Sequence, residues 1–93
     1  MRVTALRRTE RFEREFKRLD DQLQDAVRKA LKELLNSPIP KALRHHTLGG
    51  HRPTIHVIDA TRNHSHQVTF EVNGTEAILL RIATHKEIDR LPR

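Results

Sequence analysis

The apolar residues of this chain change their spacing near its midpoint. Before residue 37 they recur every three or four positions, as in Phe12, Phe16, Leu19 and Leu23, which is typical of amphipathic helices. After Gly50 they alternate with polar residues, which is typical of β-strands with one buried face. Because each helix has only one apolar stripe to bury, the helices must cover a face of the sheet. The pattern therefore predicts an α+β fold.

A short strand and two helices are predicted in the first part of the chain. They are placed at residues 3–7, 9–19 and 21–36. Thr9 is expected to cap the first helix, and Asp21 with Gln24 three positions later resembles a capping box for the second. Pro38 ends the second helix because proline disfavours helical geometry in the residue before it. The short break between the helices predicts a helical hairpin.

Three further strands are predicted in the second half of the chain. They are placed at residues 54–58, 66–73 and 76–83. Asn73-Gly74 is a strong signal for a type I′ hairpin, so the last two strands should be antiparallel. If these two residues form the whole loop, His66 lies opposite Arg81 with Cβ atoms about 5 Å apart.

The predicted architecture is a single domain over residues 1–93. An N-terminal strand and a two-helix hairpin pack on an antiparallel sheet of about four strands. Residues 37–54, which hold three of the four prolines, are expected to form a loop, and residues 60–64 an insertion between strands. The last residues, 86–93, are expected to form one short helical turn.

The charge of the chain favours a polyanionic partner. Lys and Arg number 18 against 12 Asp and Glu, which gives a net charge of +6. The absence of a long apolar run or a signal-peptide core leads us to expect a cytoplasmic protein without membrane contact. The absence of cysteine excludes disulfides and cysteine-ligated zinc. The chain has no Trp or Tyr, which argues against the aromatic stacking platforms of many single-strand binders.

Several stretches, in this order and spacing, resemble the RelE/ParE superfamily of toxins. They are Phe12 to Leu19 after the opening strand, His46-Thr47-Leu48-Gly49-Gly50, Gln67 to Val72 before the hairpin turn, and Leu80 to Glu87. The closing Arg81-x-x-x-His85 and the His46-x-Leu48-Gly49 element are most similar to the YafQ branch. The resemblance implies a RelE-like fold, a cognate antitoxin, and ribosome-dependent cleavage of messenger RNA. Asp89 stands where the family usually has an aromatic residue.

The candidate catalytic residues are those that metal-independent RNA cleavage requires. A base takes the proton of the ribose 2′-OH, an acid protonates the leaving 5′-oxygen, and a cation stabilises the phosphate. His85 is expected to be the acid or the base, and Arg81 is expected to hold the phosphate. His46, His56 and His66 are the candidates for the second proton-transfer group.

The same residues also have structural interpretations. Arg81 could instead be a structural cation that pairs with Glu76 or Asp59. His45, His51 and His64 are interpreted as loop surface, and His64-x-His66 lacks a third ligand, so no metal or cofactor is expected. The candidate RNA-binding cations are Arg52, Lys86, Arg11, Arg14 and Arg18. The helix pairs that would neutralise part of this charge are Glu10–Arg14, Glu13–Lys17 and Arg11–Glu15.

Three functions remain open on this sequence. The first is a toxin that cleaves messenger RNA at the ribosome, and its antitoxin is expected to lay an acidic or amphipathic segment across the basic sheet face and the helices. The second is a ParE-like inhibitor of DNA gyrase, which needs no set of histidines. The third is a degenerate toxin that only binds its antitoxin. The seven histidines favour the first.

Overall fold

The computed structural model describes all residues from 1 to 93 and confirms the α+β architecture. Its elements are β1 Ala5–Arg8, α1 Glu10–Lys17, α2 Asp21–Leu34, a 3-10 turn at Lys41–Leu43, β2 His46–Leu48, β3 Ile55–Asp59, β4 His66–Asn73, β5 Glu76–Thr84 and α3 His85–Arg90. The sheet has the strand order β1-β5-β4-β3-β2. The neighbours β2, β3, β4 and β5 pair antiparallel, whereas β1 pairs parallel with β5.

Two details of the predicted sheet were wrong. The sheet is mixed, because β1 runs parallel to β5. It also has five strands, because β2 forms an edge strand within the segment predicted as a loop. A three-residue edge strand needs only backbone hydrogen bonds to β3, so it leaves no alternating apolar pattern in the sequence.

The first helix begins where it was predicted. The Thr9 hydroxyl accepts a hydrogen bond from the Phe12 amide at 3.2 Å and donates one to the Leu79 carbonyl at 2.7 Å. Its backbone amide donates to the same carbonyl at 3.2 Å. Thr9 therefore caps α1 and fixes the start of the helix to β5.

The second helix is capped one residue earlier than predicted. Asp20 accepts a hydrogen bond from the Leu23 amide at 2.8 Å, and its backbone is extended, as an N-cap requires. Gln24 donates to the Phe16 carbonyl at 3.0 Å, so it closes the end of α1 and forms no capping box with Asp21. None of the helices is long and apolar enough to cross a membrane.

Both long helices pack on one face of the sheet, which we call the helix face. The core between them contains 15 buried residues. Among its members are Phe12 and Phe16 of α1, Val27, Ala30, Leu31 and Leu34 of α2, and Ile58, Val68, Phe70, Leu79 and Ile82 of the sheet. Because side chains alternate along a strand, the neighbours of these sheet residues point to the opposite side, which we call the second face.

The end of the chain lies over the second face. Ile88 of α3 is buried, and the Thr69 hydroxyl donates to the Pro92 carbonyl at 2.7 Å. Arg93 binds Glu71 and donates to the Pro53 carbonyl at 2.7 Å. The helical turn predicted near the end of the chain is confirmed, and the residues after it cover part of the sheet.

The register between β4 and β5 differs from the prediction. The hairpin loop is Gly74-Thr75, between the paired residues Asn73 and Glu76, and Gly74 has the positive φ of 64° that favours glycine. A bulge then leaves Leu80 unpaired, since Phe70 pairs with Leu79 and Thr69 with Arg81. These two shifts place His66 opposite Thr84. The predicted pairing of His66 with Arg81 was therefore wrong.

Candidate functional site

His46 and His56 lie on opposite faces of the sheet. His56 pairs with Phe70, which points into the core, so His56 is on the helix face. His46 pairs with Val57, whose side chain points to the second face. The His46 ring is exposed, and its Nδ1 donates to the Arg44 carbonyl at 2.9 Å. The two predicted candidates are therefore not brought together at one site.

His56 belongs to a stack of rings at the margin of the core. His45 and His56 are joined by a hydrogen bond of 3.0 Å between Nε2 and Nδ1, and their ring centroids are 5.2 Å apart. Phe70 stacks on His56 at 5.1 Å. Burial is the main cause that lowers the pKa of both imidazoles. The neighbouring His46 lowers the pKa of His45 further, and His45 does the same to His56. His45, interpreted above as loop surface, thus holds His56 in a neutral, packed arrangement that suits a structural role.

This stack predicts that acid destabilises the fold. The unfolded chain binds protons on these histidines near their ordinary pKa of 6.5, whereas the folded chain binds them only at lower pH. The free energy of unfolding is therefore expected to fall as the pH drops from about 7 through this window. Urea unfolding at pH 7.5 and at pH 5.5 measures the difference. His56→Phe, which keeps a ring on Phe70, should lose part of the pH dependence, and an unchanged dependence would contradict this assignment.

Arg81 is a buried structural cation. Its residue is only 5% exposed. Its Nε and Nη2 donate to the Glu15 carboxylate at 3.2 and 2.5 Å, and its Nη1 donates to the Leu91 carbonyl at 2.6 Å. The hydrogen bonds with Glu15 raise the pKa of Arg81 further. The expected contact with a substrate phosphate does not fit, since the guanidinium is already bound, and the alternative partners Glu76 and Asp59 were also wrong.

Three histidines, each with a different partner, lie at one end of the sheet, where β3 ends, β4 begins and β5 ends. We call this region the histidine end, and it consists of Asp59, His64, Ser65, His66, His85 and Asp89. His64 Nδ1 lies 2.6 Å from Asp59 Oδ2, and His85 Nε2 lies 3.5 Å from Asp89 Oδ1. Ser65 connects the two sides, because its hydroxyl is 2.8 Å from His66 Nδ1 and its carbonyl accepts from the His85 amide at 3.2 Å.

A small cleft opens beside His66 on the helix face. It has a volume of about 160 Å³ and is lined by Glu15, Arg18, Leu19, His66, Ile82, Ala83 and Glu87. Glu87 accepts hydrogen bonds from the Thr84 hydroxyl and amide, and both lower the pKa of its carboxyl group. The cleft thus combines an imidazole with an exposed arginine and an ionised carboxylate.

The predicted RNA-binding cations differ in whether they have a partner within the protein. Arg18, Lys86 and Arg52 are exposed, and none of them forms an ion pair. Arg14 lies 4.0 Å from Glu10, as predicted, whereas Arg11 donates to the Arg93 carbonyl at 2.8 Å. The predicted pairs Glu13–Lys17 and Arg11–Glu15 do not form, because Glu13 binds Arg8 and Glu15 binds Arg81.

The sequence analysis missed the contribution of Asp59 and His64. Asp59 is 4% exposed at the end of β3 and contacts His64, Arg44 and Gln67. His64, which contacts Asp59, has a left-handed backbone, with φ of 60°. No local sequence signal marks this conformation.

At the histidine end, imidazoles with different partners lie near exposed cations that form no ion pair, and general acid–base chemistry on a phosphodiester uses these two kinds of group.

The chain is similar to solved structures of other proteins. No protein-family model and no curated protein matches it. Among solved structures, the toxin in the DinJ–YafQ complex of E. coli is similar over 95% of this chain and 98% of its own, with 15% identity and a TM-score of 0.70. A copper-bound mutant toxin from Helicobacter pylori is similar over 92% of this chain and 99% of its own, with 22% identity and a TM-score of 0.63.

A third solved structure is a conserved hypothetical protein of Helicobacter pylori. It covers 90% of this chain and 97% of its own, with 20% identity and a TM-score of 0.65. At these identities the likeness concerns the fold. The chain has the RelE-like fold that the sequence predicted, and the neighbours with this fold include toxins of toxin–antitoxin pairs.

Proposed function

We propose that this chain is the toxin of a toxin–antitoxin pair and that it cleaves messenger RNA at the ribosome. The observation that carries the proposal is the histidine end, where His66 bonds to the Ser65 hydroxyl and the His85 amide bonds to the Ser65 carbonyl at one end of the sheet. Its side chains are of the types that proton transfer needs, and they require no metal for it. The fold that this chain shares with known toxins supports the same function.

The proposed reaction is a transesterification within the RNA. One neutral imidazole takes the proton of the ribose 2′-OH, and the 2′-oxygen forms a bond to phosphorus. The bond between phosphorus and the 5′-oxygen breaks, and a protonated imidazole gives its proton to that oxygen. The products are a 2′,3′-cyclic phosphate and a 5′-hydroxyl end. We assign one of the two proton transfers to His85.

Exposed cations take the place that the buried Arg81 cannot fill. Lys86 follows His85 directly, and Arg18 lines the cleft beside His66. Both are free to meet phosphate oxygens, which would hold the RNA backbone near the histidines. Arg52 is a further exposed contact, whereas Arg11 and Arg14 have partners within the protein and are weaker candidates.

Mapping of RNA ends after induced expression tests this function. Primer extension on a reporter messenger RNA should reveal discrete breaks within translated codons. An intact message together with a DNA-damage response would favour the gyrase inhibitor. An intact message without growth arrest would favour a chain that only binds its antitoxin.

The proposed antitoxin is an acidic or amphipathic chain encoded beside this toxin. The E. coli neighbour was solved as a complex of DinJ with YafQ, which supports a protein partner of this kind. Because the net charge is +6, the association rate is expected to fall at least about tenfold between low and high salt. Stopped-flow mixing at several ionic strengths measures this rate. A rate that does not depend on salt would exclude electrostatic steering.

A further inference from the structure

We infer that His64 is a second proton-transfer residue of this site and that Asp59 positions it. The inference rests on the proposed function, and it names the partner of His85 in RNA cleavage. None of the candidates from the sequence supplies this partner equally well. His46 lies on the edge strand β2, outside the histidine end, with its Nδ1 bound to the Arg44 carbonyl. His56 is stacked with His45 on the helix face, and His66 Nδ1 is bound to Ser65 beside the cleft.

The Asp59 carboxylate is buried, and both of its oxygens have partners within the protein. Its Oδ1 accepts a hydrogen bond from Gln67 at 3.2 Å, and its Oδ2 lies 3.6 Å from Arg44 Nε and 2.6 Å from His64 Nδ1. A carboxylate held in this way keeps the proton of a neutral imidazole on Nδ1. The lone pair of His64 Nε2 is then left to accept a proton.

The His64 ring is placed between the protein interior and the solvent. Its side chain is 46% exposed, although the carboxylate that it contacts is buried. A base that is oriented by a buried carboxylate and opens to solvent on its other nitrogen is the arrangement that serves proton abstraction in hydrolases. When His64 accepts the 2′-OH proton, the negative charge of Asp59 stabilises the imidazolium that forms.

Two unusual backbone conformations converge on the same oxygen atom. Arg44 and His64 are the only non-glycine residues with positive φ, at 49° and 60°. Both direct their side chains to Asp59 Oδ2. Such conformations persist only where the surroundings hold them, and they concentrate at functional sites. The contact between Asp59 and His64 is thus maintained against the local backbone preference.

His64 and His85 lie on neighbouring backbone segments at the same end of the sheet. The Ser65 carbonyl, which follows His64 directly, accepts the hydrogen bond of the His85 amide at 3.2 Å. The backbone segments that carry the two imidazoles are therefore neighbours, because this bond continues the pairing of His66 with Thr84. In the cleavage step, His64 takes the 2′-OH proton while protonated His85 gives its proton to the 5′-oxygen.

Two substitutions of His64 separate a chemical role from a structural one. Asparagine tolerates the left-handed backbone and can donate to Asp59, so His64→Asn should keep the fold and lose about 10²–10⁴ in cleavage rate. His64→Gly relaxes the backbone and leaves space for a free imidazole, which should restore part of the cleavage. For Asp59→Asn we expect a lower maximal single-turnover rate with little change in the half-saturating protein concentration, because positioning acts on the reacting group alone.

The assay is single-turnover cleavage of messenger RNA by purified protein on programmed ribosomes, with His51→Asn as the matched control. His64→Asn that cleaves as fast as wild type would overturn the inference. Loss of cleavage in His64→Asn without imidazole rescue of His64→Gly would assign a structural role and would also overturn it. If wild type itself cleaves nothing, the proposed function fails. That result differs from one in which wild type cleaves and only the role of His64 and Asp59 is contradicted.

Discussion

An Arg81→Met substitution is expected to lower the free energy of unfolding by about 3–5 kcal/mol, because it leaves a largely buried carboxylate without its cation. The Glu15 side chain is only 17% exposed, and Arg81 is its partner in the ion pair. The substitution also leaves the Leu91 carbonyl without its 2.6 Å donor, so the end of the chain should loosen. Equilibrium urea unfolding monitored by circular dichroism measures the loss.

Two comparisons show whether burial causes the effect. Arg14→Ala removes an exposed arginine that lies 4.0 Å from Glu10, and it should change stability by less than about 1 kcal/mol. A double variant with Glu15→Leu and Arg81→Met should recover much of the loss, since no charge is then left buried. If Arg81→Met were as mild as Arg14→Ala, the pair with Glu15 would not hold α1 and β5 together.

The largest expected effect on activity comes from His85→Ala. Loss of one positioned acid or base usually costs about 10²–10⁴ in rate, and toxicity should fall with it. The His85 side chain is 60% exposed and begins α3, where alanine is well tolerated, so the fold should be unchanged. The decisive measurements are growth arrest and cleavage of a reporter message at equal expression levels.

His51→Ala is the matched control for His85→Ala. His51 lies between β2 and β3 and is not among the residues of the histidine end, so the variant should arrest growth as wild type does. If folded His85→Ala cleaves messenger RNA as wild type does, His85 transfers no proton. The chemistry would then have to be sought among His46, His56 and His66, the other candidates from the sequence, and His64.

The fold could be predicted because its main elements carry periodic apolar patterns. Both helices and the strands β3, β4 and β5 follow from these patterns, and Thr9 was identified as a cap by its residue type. The register of β5 could not be predicted. Ile78, Leu79 and Leu80 are all apolar, so a bulge at Leu80 leaves no trace in the pattern.

The candidate site was less accessible to sequence reasoning because its contacts are made in the tertiary structure. His85 could be singled out by resemblance, and its position at the histidine end agrees with its proposed role. The partner of Arg81 is 66 residues away in the chain, so the choice between a phosphate and a carboxylate could not be made. The contact of His64 with Asp59 depends on a left-handed residue in a loop, which local sequence does not specify.

The parallel pairing of β1 with β5 has a consequence for how the protein is made. β1 is synthesised before its only partner, β5, and the contact of Thr4 with Thr75 spans 71 residues. Until β5 has left the ribosome, β1 is unpaired and Thr9 has no β5 carbonyl to bind. Native contacts between such distant segments form late and slowly. The histidine end includes His85 and Asp89 of α3, which follow β5 in the chain, so this site is likewise assembled only after β5 and α3 have been synthesised.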